Sequence, residues 1–252
     1  MINFDLPTII AIALVFVLAG FVKGVTGMGL PTVAMGLLGT TMAPVSAASL
    51  LVGPSLLTNV LQLFWGPSIV RQIRRHWGMM VGIFCGTIFS THLIAHDSRG
   101  FASVGLGIAL MLYSVAGLSA LRIRIAPSVE PWLSPAIGLV TGVTTGMTGV
   151  FVFPSVPYLQ SLNLDRDDLI QALGLSFTVS TIGLMLGLVG NATFDHSTIW
   201  ASGLAIVPAF AGMGVGQWLR QKISQQAFRT WFFIGLLCLS CDIISTWLIH
   251  RL

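Results

Sequence analysis

Apolar stretches of about 20 residues recur along the whole chain, and each is long enough to cross the hydrocarbon core of a bilayer as an α-helix. Only 8% of the 252 residues are charged, against about 25% in a soluble domain, and the mean hydropathy is +0.91. The alternating ten-residue segments of an outer-membrane β-barrel are absent from the sequence. The chain is therefore predicted to be an all-α integral membrane protein with about 8–10 hydrophobic segments.

The segment boundaries follow from polar turns and from tryptophan. All seven tryptophans fall within a few residues of a proposed segment end, where an amphipathic indole belongs in a bilayer. The predicted segments are residues 6–22, 28–41, 43–66, 77–95, 101–121, 132–147, 148–162, 168–190, 198–217 and 229–249.

A glycine-rich motif interrupts the first apolar run. Gly20-Phe-Val-Lys-Gly-Val-Thr-Gly-Met-Gly-Leu-Pro31 carries four glycines, a proline and one of only two lysines in the chain. Glycine and proline weaken a helix interior. In a bilayer such a break is tolerated only where the freed backbone groups face protein or a water-filled cavity. We therefore expect a broken helix here, followed by a second short helix.

The same pattern returns at Gly138-Leu-Val-Thr-Gly-Val-Thr-Thr-Gly-Met-Thr-Gly149, which Pro154 closes. Its glycines and its Gly-Val-Thr match those of the first motif, with small gaps after the shared Gly-Val-Thr. Paired glycine breaks at corresponding places in two halves are a pointer to the binding site of a transporter. The alternative is close helix packing through small residues, as on any Gly-x-x-x-Gly face.

The chain divides at the proline-containing linker Ala126-Pro-Ser-Val-Glu-Pro131 into a first repeat, residues 1–125, and a second, residues 126–252. Each half has one broken or re-entrant helix pair and three full transmembrane helices. Three basic loops, 67–77, 122–131 and 218–229, are predicted to be cytoplasmic. An odd number of full crossings then turns the second half upside down and leaves both termini outside. The sequence thus predicts an inverted-topology repeat.

A small oxyanion needs positive potential and hydrogen-bond donors, which the free N–H groups at the N-terminus of a broken helix supply. Two breaks that meet near the bilayer midplane would form such a site, with Lys23 adding a full charge. Lys23 has an alternative fate, which is to extend its ammonium to the membrane surface. The predicted substrate-binding residues are Lys23, Gly24, Thr26, Gly27, Gly29, Asn59, Gly142, Thr144, Thr145, Gly146, Thr148, Gly149 and Gln171.

Asp242 is the only acidic residue deep in a predicted span. It is open to three interpretations: a counter-ion for Lys23, a carboxyl group that couples transport to protons, or a polar residue near the outer surface. Asn59 and Gln171 lie on helices that follow the breaks, where amides also commonly bind neighbouring helices.

Enzymatic function is not expected, because no cluster of acid, base and nucleophile is present in the spans and no catalytic residue can be assigned. The zinc motif His-Glu-x-x-His and a nucleotide-binding P-loop are missing from the sequence, so no metal and no cofactor are predicted. The net charge of +4 is concentrated in loops, which argues for orientation in a bilayer and against nucleic-acid binding.

At the two motifs, Gly20-x-x-x-Gly-x-x-Gly-x-Gly-x-Pro31 and Gly138-x-x-x-Gly-x-x-x-Gly-x-x-Gly149, the chain resembles the TauE/SafE sulfite exporter family. The small-residue helices near Ala47-Ala-Ser-Leu50 and Gln171-Ala-Leu-Gly174 are similar as well, and the resemblance covers nearly the whole chain. Members often have three consecutive glycines where this chain has Met28-Gly-Leu30 and Met147-Thr-Gly149. The resemblance therefore implies the fold more strongly than the substrate.

The resemblance implies a secondary transporter, and an exporter in particular, of a small sulfur-containing anion such as sulfite or an organosulfonate (sulfoacetate), in a bacterial inner membrane. The expected partners are the anionic substrate and the lipid bilayer, and a homodimer is left open. The alternatives are a passive anion channel, a transporter of another small organic anion, and, more remotely, a membrane enzyme or an assembly scaffold.

Overall fold

The computed structural model describes residues 5–66, 68–97, 100–119, 124–193 and 196–249. Within these ranges all regular secondary structure is helical. The helices are α1 Leu6–Thr26, α2 Leu30–Leu38, α3 Pro44–Phe64, α4 Ile69–Ala95, α5 Phe101–Leu118, α6 Glu130–Thr148, α7 Ser155–Ser161, α8 Arg166–Gly190, α9 His196–Leu204, α10 Ile206–Leu219 and α11 Gln225–Ile249.

Seven helical stretches in the described residues are long and apolar enough to cross a membrane. They are Leu6–Thr26, Pro44–Phe64, Ile69–Ala95, Phe101–Leu118, Arg166–Gly190, Thr198–Leu219 and Gln225–Ile249. Many of their leucine, isoleucine and phenylalanine side chains are exposed on the outside of the bundle, as a lipid-facing surface requires. The predicted multi-pass, all-α membrane protein is therefore confirmed.

Both glycine motifs interrupt their helices. Helix α1 ends at Thr26. Gly27 and Gly29 then take positive φ angles of 78° and 101°, which residues with a Cβ rarely adopt. Helix α6 ends at Thr148, and Gly149 has a φ of 71°. The short helices α2 and α7 follow, with Pro31 in the first turn of α2, where its missing N–H costs nothing.

The predicted basic loops are shorter than the charge pattern suggested. Helix α4 begins at Ile69, so most of the predicted loop 67–77 is helical, and its arginines lie on the first two turns of α4. Helix α6 already begins at Glu130, and only residues 220–224 separate α10 from α11. Pro67, Arg122 and the two ends of the chain lie outside the described residues.

Helix α1 runs parallel to α10, and the two backbones touch at glycines. A Cβ on Gly20 would lie 2.0 Å from the carbonyl oxygen of Ala209, and a Cβ on Gly24 would lie 2.3 Å from that of Met213. From the other side, a Cβ on Gly212 would meet the carbonyl oxygen of Val17 at 1.9 Å. Only glycine permits this approach, which is the small-residue packing typical of membrane helices.

Helices α6 and α4 make a second crossing of the same kind. A Cβ on Gly138 would lie 2.2 Å from the carbonyl oxygen of Met79, and one on Gly142 would lie 2.3 Å from that of Ile83. A Cβ on Gly86 would in turn meet Leu139 O at 2.6 Å. These two helices are also parallel, because the residue numbers of α6 and of α4 rise together along the contact.

The remaining long helices pack with alternating directions. Helix α8 runs parallel to α4, since Gly183 and Gly187 lie against Thr87 and Thr91, respectively. Helix α3 runs antiparallel to α8: Asn59 contacts Thr181, whereas Leu63 lies against Gly174. Helix α5 is antiparallel to α11, where Gly107 meets Ile244 and Gly117 meets Phe233.

Pro54 lies inside α3, one turn before the polar residues described below. Proline has no N–H, so the carbonyl of Leu50 loses its helical partner. The hydroxyl of Ser202 on α9 donates to this carbonyl at 3.0 Å and accepts the N–H of Gly53 at 2.9 Å. The interruption in α3 is thus satisfied by a neighbouring helix, as buried backbone in a membrane must be.

Candidate functional site

A buried polar cluster lies where α1, α3 and α8 meet. The ammonium of Lys23 donates to the Thr58 hydroxyl at 3.0 Å and to the side-chain oxygen of Asn59. The Asn59 amide nitrogen donates to the Thr181 hydroxyl at 3.3 Å. Thr58 and Thr181 donate in turn to the carbonyls of Pro54 and Phe177, each at 2.7 Å. Lys23, Thr58, Asn59 and Thr181 are called the lysine cluster below.

The lysine cluster is closed to solvent. Lys23 is only 4% exposed, and Asn59 is 0% exposed. The Lys23 side chain therefore does not extend to a membrane surface. An ammonium in such a place is costly unless it is paired, yet both of its acceptors are neutral oxygens. The cluster thus offers positive charge and lacks a negative group to balance it among the described residues.

Helices α3 and α8 carry further buried hydroxyls. Ser55 on α3, and Ser176 and Ser180 on α8, are each at most 1% exposed, and their oxygens have no hydrogen-bond partner among the described residues. Ser55 lies one turn before Asn59, on the same face of α3. Buried polar groups are rarely left unpartnered. Helices α3 and α8 therefore carry buried donors beyond those that the protein itself uses.

The cluster lies deep in the bundle. Asn59 and Thr181 each lie about 15 residues, or about 22 Å, from the first residue of their helices. Because α3 and α8 run antiparallel, their contact lies well inside both ends of the pair. The lysine cluster therefore lies near the middle of this helix pair.

The threonines of the two motifs close the broken helix ends. The hydroxyl of Thr26 lies 2.9 Å from the carbonyl oxygen of Val22 and accepts the N–H of Met28 at 3.2 Å. Thr148 does the same in the second motif: its hydroxyl donates to Thr144 O at 2.7 Å and accepts the N–H of Val150 at 3.2 Å. Their hydroxyls therefore already serve the backbone.

Both breaks lie against α5. The Tyr113 hydroxyl donates to the sulfur of Met28 at 3.3 Å, and the methyl group of Thr148 lies 3.3 Å from the position of a Cβ on Gly105. These two α5 residues are about 12 Å apart along the helix. The two breaks therefore contact the same helix, at points about two turns apart along α5.

The other motif residues either pack against a neighbouring helix or bond to the backbone of their own helix. Gly24 and Gly142 lie in the two helix crossings, and Gly146 packs against Thr87 and Ser90 of α4. Thr145 is buried and donates to Thr141 O at 2.7 Å, while Thr144 is half-buried and donates to Val140 O at 2.9 Å.

Gln171 and Asp242 lie away from the lysine cluster. The Gln171 amide donates to the carbonyls of Leu63 and Gly66 at 2.9 and 2.8 Å, so it closes the C-terminal end of α3. Asp242 is exposed on the outer side of α11 and makes no ion pair with a described residue. Neither side chain contacts Lys23.

Sequence reasoning did not select Thr58, Ser55, Ser180 or Thr181. The signal was present for α3, because Ser55, Thr58 and Asn59 share one helix face at i, i+3 and i+4 spacing. For α8 it was not, because hydroxyls occur all around its central turns, and only the packing against α3 singles out Thr181.

Comparison with known families gives one match. The model of the family described as "Sulfite exporter TauE/SafE" matches residues 12–243, which is most of the chain and includes both glycine motifs and the lysine cluster. No curated protein and no solved structure matches the chain.

Proposed function

The chain belongs to the sulfite exporter TauE/SafE family of membrane anion transporters, and from this premise we propose that it exports a small sulfur-containing anion, sulfite or an organosulfonate such as sulfoacetate. The lysine cluster is the observation that carries the proposal. It holds a buried ammonium with neutral partners, deep in the bundle and one turn before a helix break.

A sulfur oxyanion suits the chemistry of this place. Its charge balances that of Lys23, which removes the cost of an unpaired buried cation. Its several oxygens accept hydrogen bonds at once, and Ser55, one turn before Asn59 on the same face of α3, has a buried hydroxyl without a partner among the described residues. Charge-assisted hydrogen bonds of this kind are the strong ones. In this proposal the substrate displaces Asn59 as a partner of Lys23.

Transport by alternating access needs two gates around a fixed site, and an inverted repeat supplies them by rocking one half against the other. The relative helix directions support this arrangement. The two crossings α1–α10 and α6–α4 are both parallel, and each joins a broken helix of one half to a long helix of the other. The antiparallel pairs α3–α8 and α5–α11 fit a second half that is upside down.

The arginines support one orientation in the inner membrane. The first turns of α4 carry Arg71, Arg74 and Arg75, and the ion pairs of Arg71 with Asp168 and of Arg75 with Glu130 bring the starts of α8 and α6 to the same end of the bundle. Cytoplasmic ends of membrane helices are rich in arginine. We place this end in the cytoplasm, which puts both termini outside.

A channel is the second candidate, since the same donors would serve a continuous pore. The closure of the lysine cluster favours the transporter, because its residues are shielded from both ends of the bundle. Saturable counterflow driven by an anion gradient would support the transporter, whereas large unitary currents would support the channel.

The test compares the two lysines of the chain in proteoliposomes. Lys23→Met should reduce efflux of labelled sulfite or sulfoacetate by about tenfold or more, because it removes a charge-assisted contact. Lys222→Met is the matched control: Lys222 lies over the ring of Trp218 at the end of α10, away from the cluster. Efflux that survives Lys23→Met in folded protein would remove the lysine cluster from the transport path.

A further inference from the structure

A crevice of about 520 Å³ opens between the first turns of α4 and α6, far from the lysine cluster. Its walls include Arg74, Arg75 and Trp77 of α4, and Glu130, Ser134 and Pro135 of α6. We call it the α4–α6 crevice. It belongs neither to the glycine breaks nor to the lysine cluster, and the proposed transport cycle does not use it.

Glycine and proline shape the crevice. A Cβ on Gly78 would lie 3.0 Å from the ring of Pro135, and a Cβ on Gly82 would lie 2.5 Å from Pro135 O. The two helices therefore touch at this level, and the crevice lies on the side of their first residues.

The crevice carries a net positive charge. Arg75 binds both carboxylate oxygens of Glu130, at 2.7 and 2.8 Å, so these two charges balance each other. Arg74 is exposed and forms no ion pair with a described residue. One guanidinium thus remains for a ligand, beside the apolar surface of Trp77 and the prolines.

The crevice opens at the level of the membrane surface. Trp77 is 66% exposed and Trp132, two residues after Glu130, is 85% exposed. Exposed indoles on membrane helices lie at the headgroup level of the bilayer. Arginine at the same level meets lipid phosphates, and basic pockets between membrane helices bind anionic headgroups. Arg74 and Trp77 together therefore face the headgroup of a lipid rather than the open cytoplasm.

We propose that the α4–α6 crevice is a binding site for the phosphodiester headgroup of an anionic phospholipid, with Arg74 as the charged contact and Trp77 packing on the glycerol and upper acyl chain. On the orientation proposed above, this lipid belongs to the cytoplasmic leaflet. Free inorganic phosphate has the same oxyanion chemistry as the lipid headgroup, and the experiment distinguishes the two ligands.

The test measures the melting temperature of the purified full chain in neutral detergent. Three additions are compared: phosphatidylglycerol, phosphatidylcholine with the same acyl chains, and inorganic phosphate. A ligand that binds the folded protein raises its melting temperature. We expect a rise with phosphatidylglycerol alone, and retention of phosphatidylglycerol in native mass spectra. An equal rise with phosphatidylcholine, or an equal rise with inorganic phosphate, would overturn a site for anionic lipid.

Variants locate the site. Arg74→Gln should lose more than half of the rise with phosphatidylglycerol, and Arg74→Lys should keep most of it, because lysine also binds phosphate as a point charge. Lys222→Gln is the control, since it removes one cation from the proposed cytoplasmic face beside an exposed tryptophan, outside the crevice. Equal losses in Arg74→Gln and Lys222→Gln would show diffuse attraction and overturn the proposal, even if Arg74→Gln melted lower without lipid.

Discussion

The α1–α10 and α6–α4 crossings share their backbone contacts and differ in almost everything that surrounds them. Gly20 and Gly24 meet the carbonyls of Ala209 and Met213 as Gly138 and Gly142 meet those of Met79 and Ile83. When the helices are counted from these glycines, Lys23 of the first crossing corresponds to Thr141 of the second. The packing is repeated, whereas the charge is present only once.

The two helices also end differently. After the shared Gly-Val-Thr, α6 continues for about one more turn before Gly149 takes the left-handed conformation that Gly27 takes in α1. The gap in the sequence comparison of the two motifs is therefore a helical turn. Thr148, rather than Thr144, caps its helix as Thr26 does.

Near the starts of the paired helices the crossings differ in charge once more. Arg75 and Glu130 join the first turns of α4 and α6 by two hydrogen bonds. Their counterparts at the other crossing, counted from the same glycines, are Ala205 and Ile12, which are 3% and 7% exposed. The comparison teaches that packing contacts can be repeated closely while each polar feature occurs at only one of the two crossings.

The largest expected effect tests whether the two crossings are equally tight. A Cβ on Gly216 would lie 2.2 Å from Phe21 O, and one on Gly86 would lie 2.6 Å from Leu139 O. Gly216→Ala and Gly86→Ala should each destabilise the protein by about 3 kcal/mol, at the upper end of overpacking costs, because backbone rather than a side chain must move. Thermal unfolding of the purified variants measures this.

Gly214 supplies the control, because it lies on the same helix as Gly216 and has no atom within 4 Å of its Cβ position. Gly214→Ala should be neutral or stabilise α10 by up to about 1 kcal/mol, since alanine favours helix over glycine. If Gly86→Ala melted like the wild type while Gly216→Ala did not, the two crossings would not be equivalent.

The second prediction converts one crossing into the other. Arg75→Ala leaves the Glu130 carboxylate, 11% exposed, without its partner. Because Arg75 itself is 39% exposed and its pair is partly screened, we expect a loss of about 2 kcal/mol rather than the cost of a fully buried pair. The double variant Arg75→Ala/Glu130→Ile copies Ala205 and Ile12 and should recover most of the loss, since apolar replacement of an ion pair is often neutral.

A double-mutant cycle on melting temperature measures the recovery. The single variant Glu130→Ile completes the cycle, and its effect should be smaller than that of Arg75→Ala, because Arg75 keeps access to water. A double variant no more stable than Arg75→Ala would mean that the charged pair has a role that the apolar crossing cannot replace.

The sequence predicted the breaks because glycine at positive φ and proline in a first helical turn act locally. Gly27, Gly149 and Pro31 therefore fall where expected. The partner of each Gly-x-x-x-Gly face was not predictable in the same way, because spacing marks a face and does not say which helix covers it. Gly82, Gly86, Gly212 and Gly216 carry the matching spacing on α4 and α10, a signal that the sequence reading passed over.

The fate of Lys23 also depends on tertiary structure. A lysine near a helix end either extends to the surface or is held inside, and the difference lies in Thr58 and Asn59, more than 30 residues away. The predicted loop 67–77 became the start of α4 for a similar reason. A run of arginines is typical of a loop. Here Arg71 and Arg75 lie on a helix, because they pair with Asp168 and Glu130 of two distant helices.

The smallest expected effect concerns Gly27 and Gly149, the left-handed glycines that directly follow α1 and α6. Gly27 has no atom within 4 Å of its Cβ position, so Gly27→Ala should cost only the conformational penalty of about 1 kcal/mol. On Gly149 a Cβ would lie 2.9 Å from the sulfur and methyl group of Met35, so Gly149→Ala should cost somewhat more than Gly27→Ala. Asparagine tolerates this conformation better than alanine, so Gly27→Asn should melt above Gly27→Ala. Equal melting temperatures for Gly27→Ala and the wild type would mean that α1 does not end at Gly27 in the membrane, and the first break would be lost.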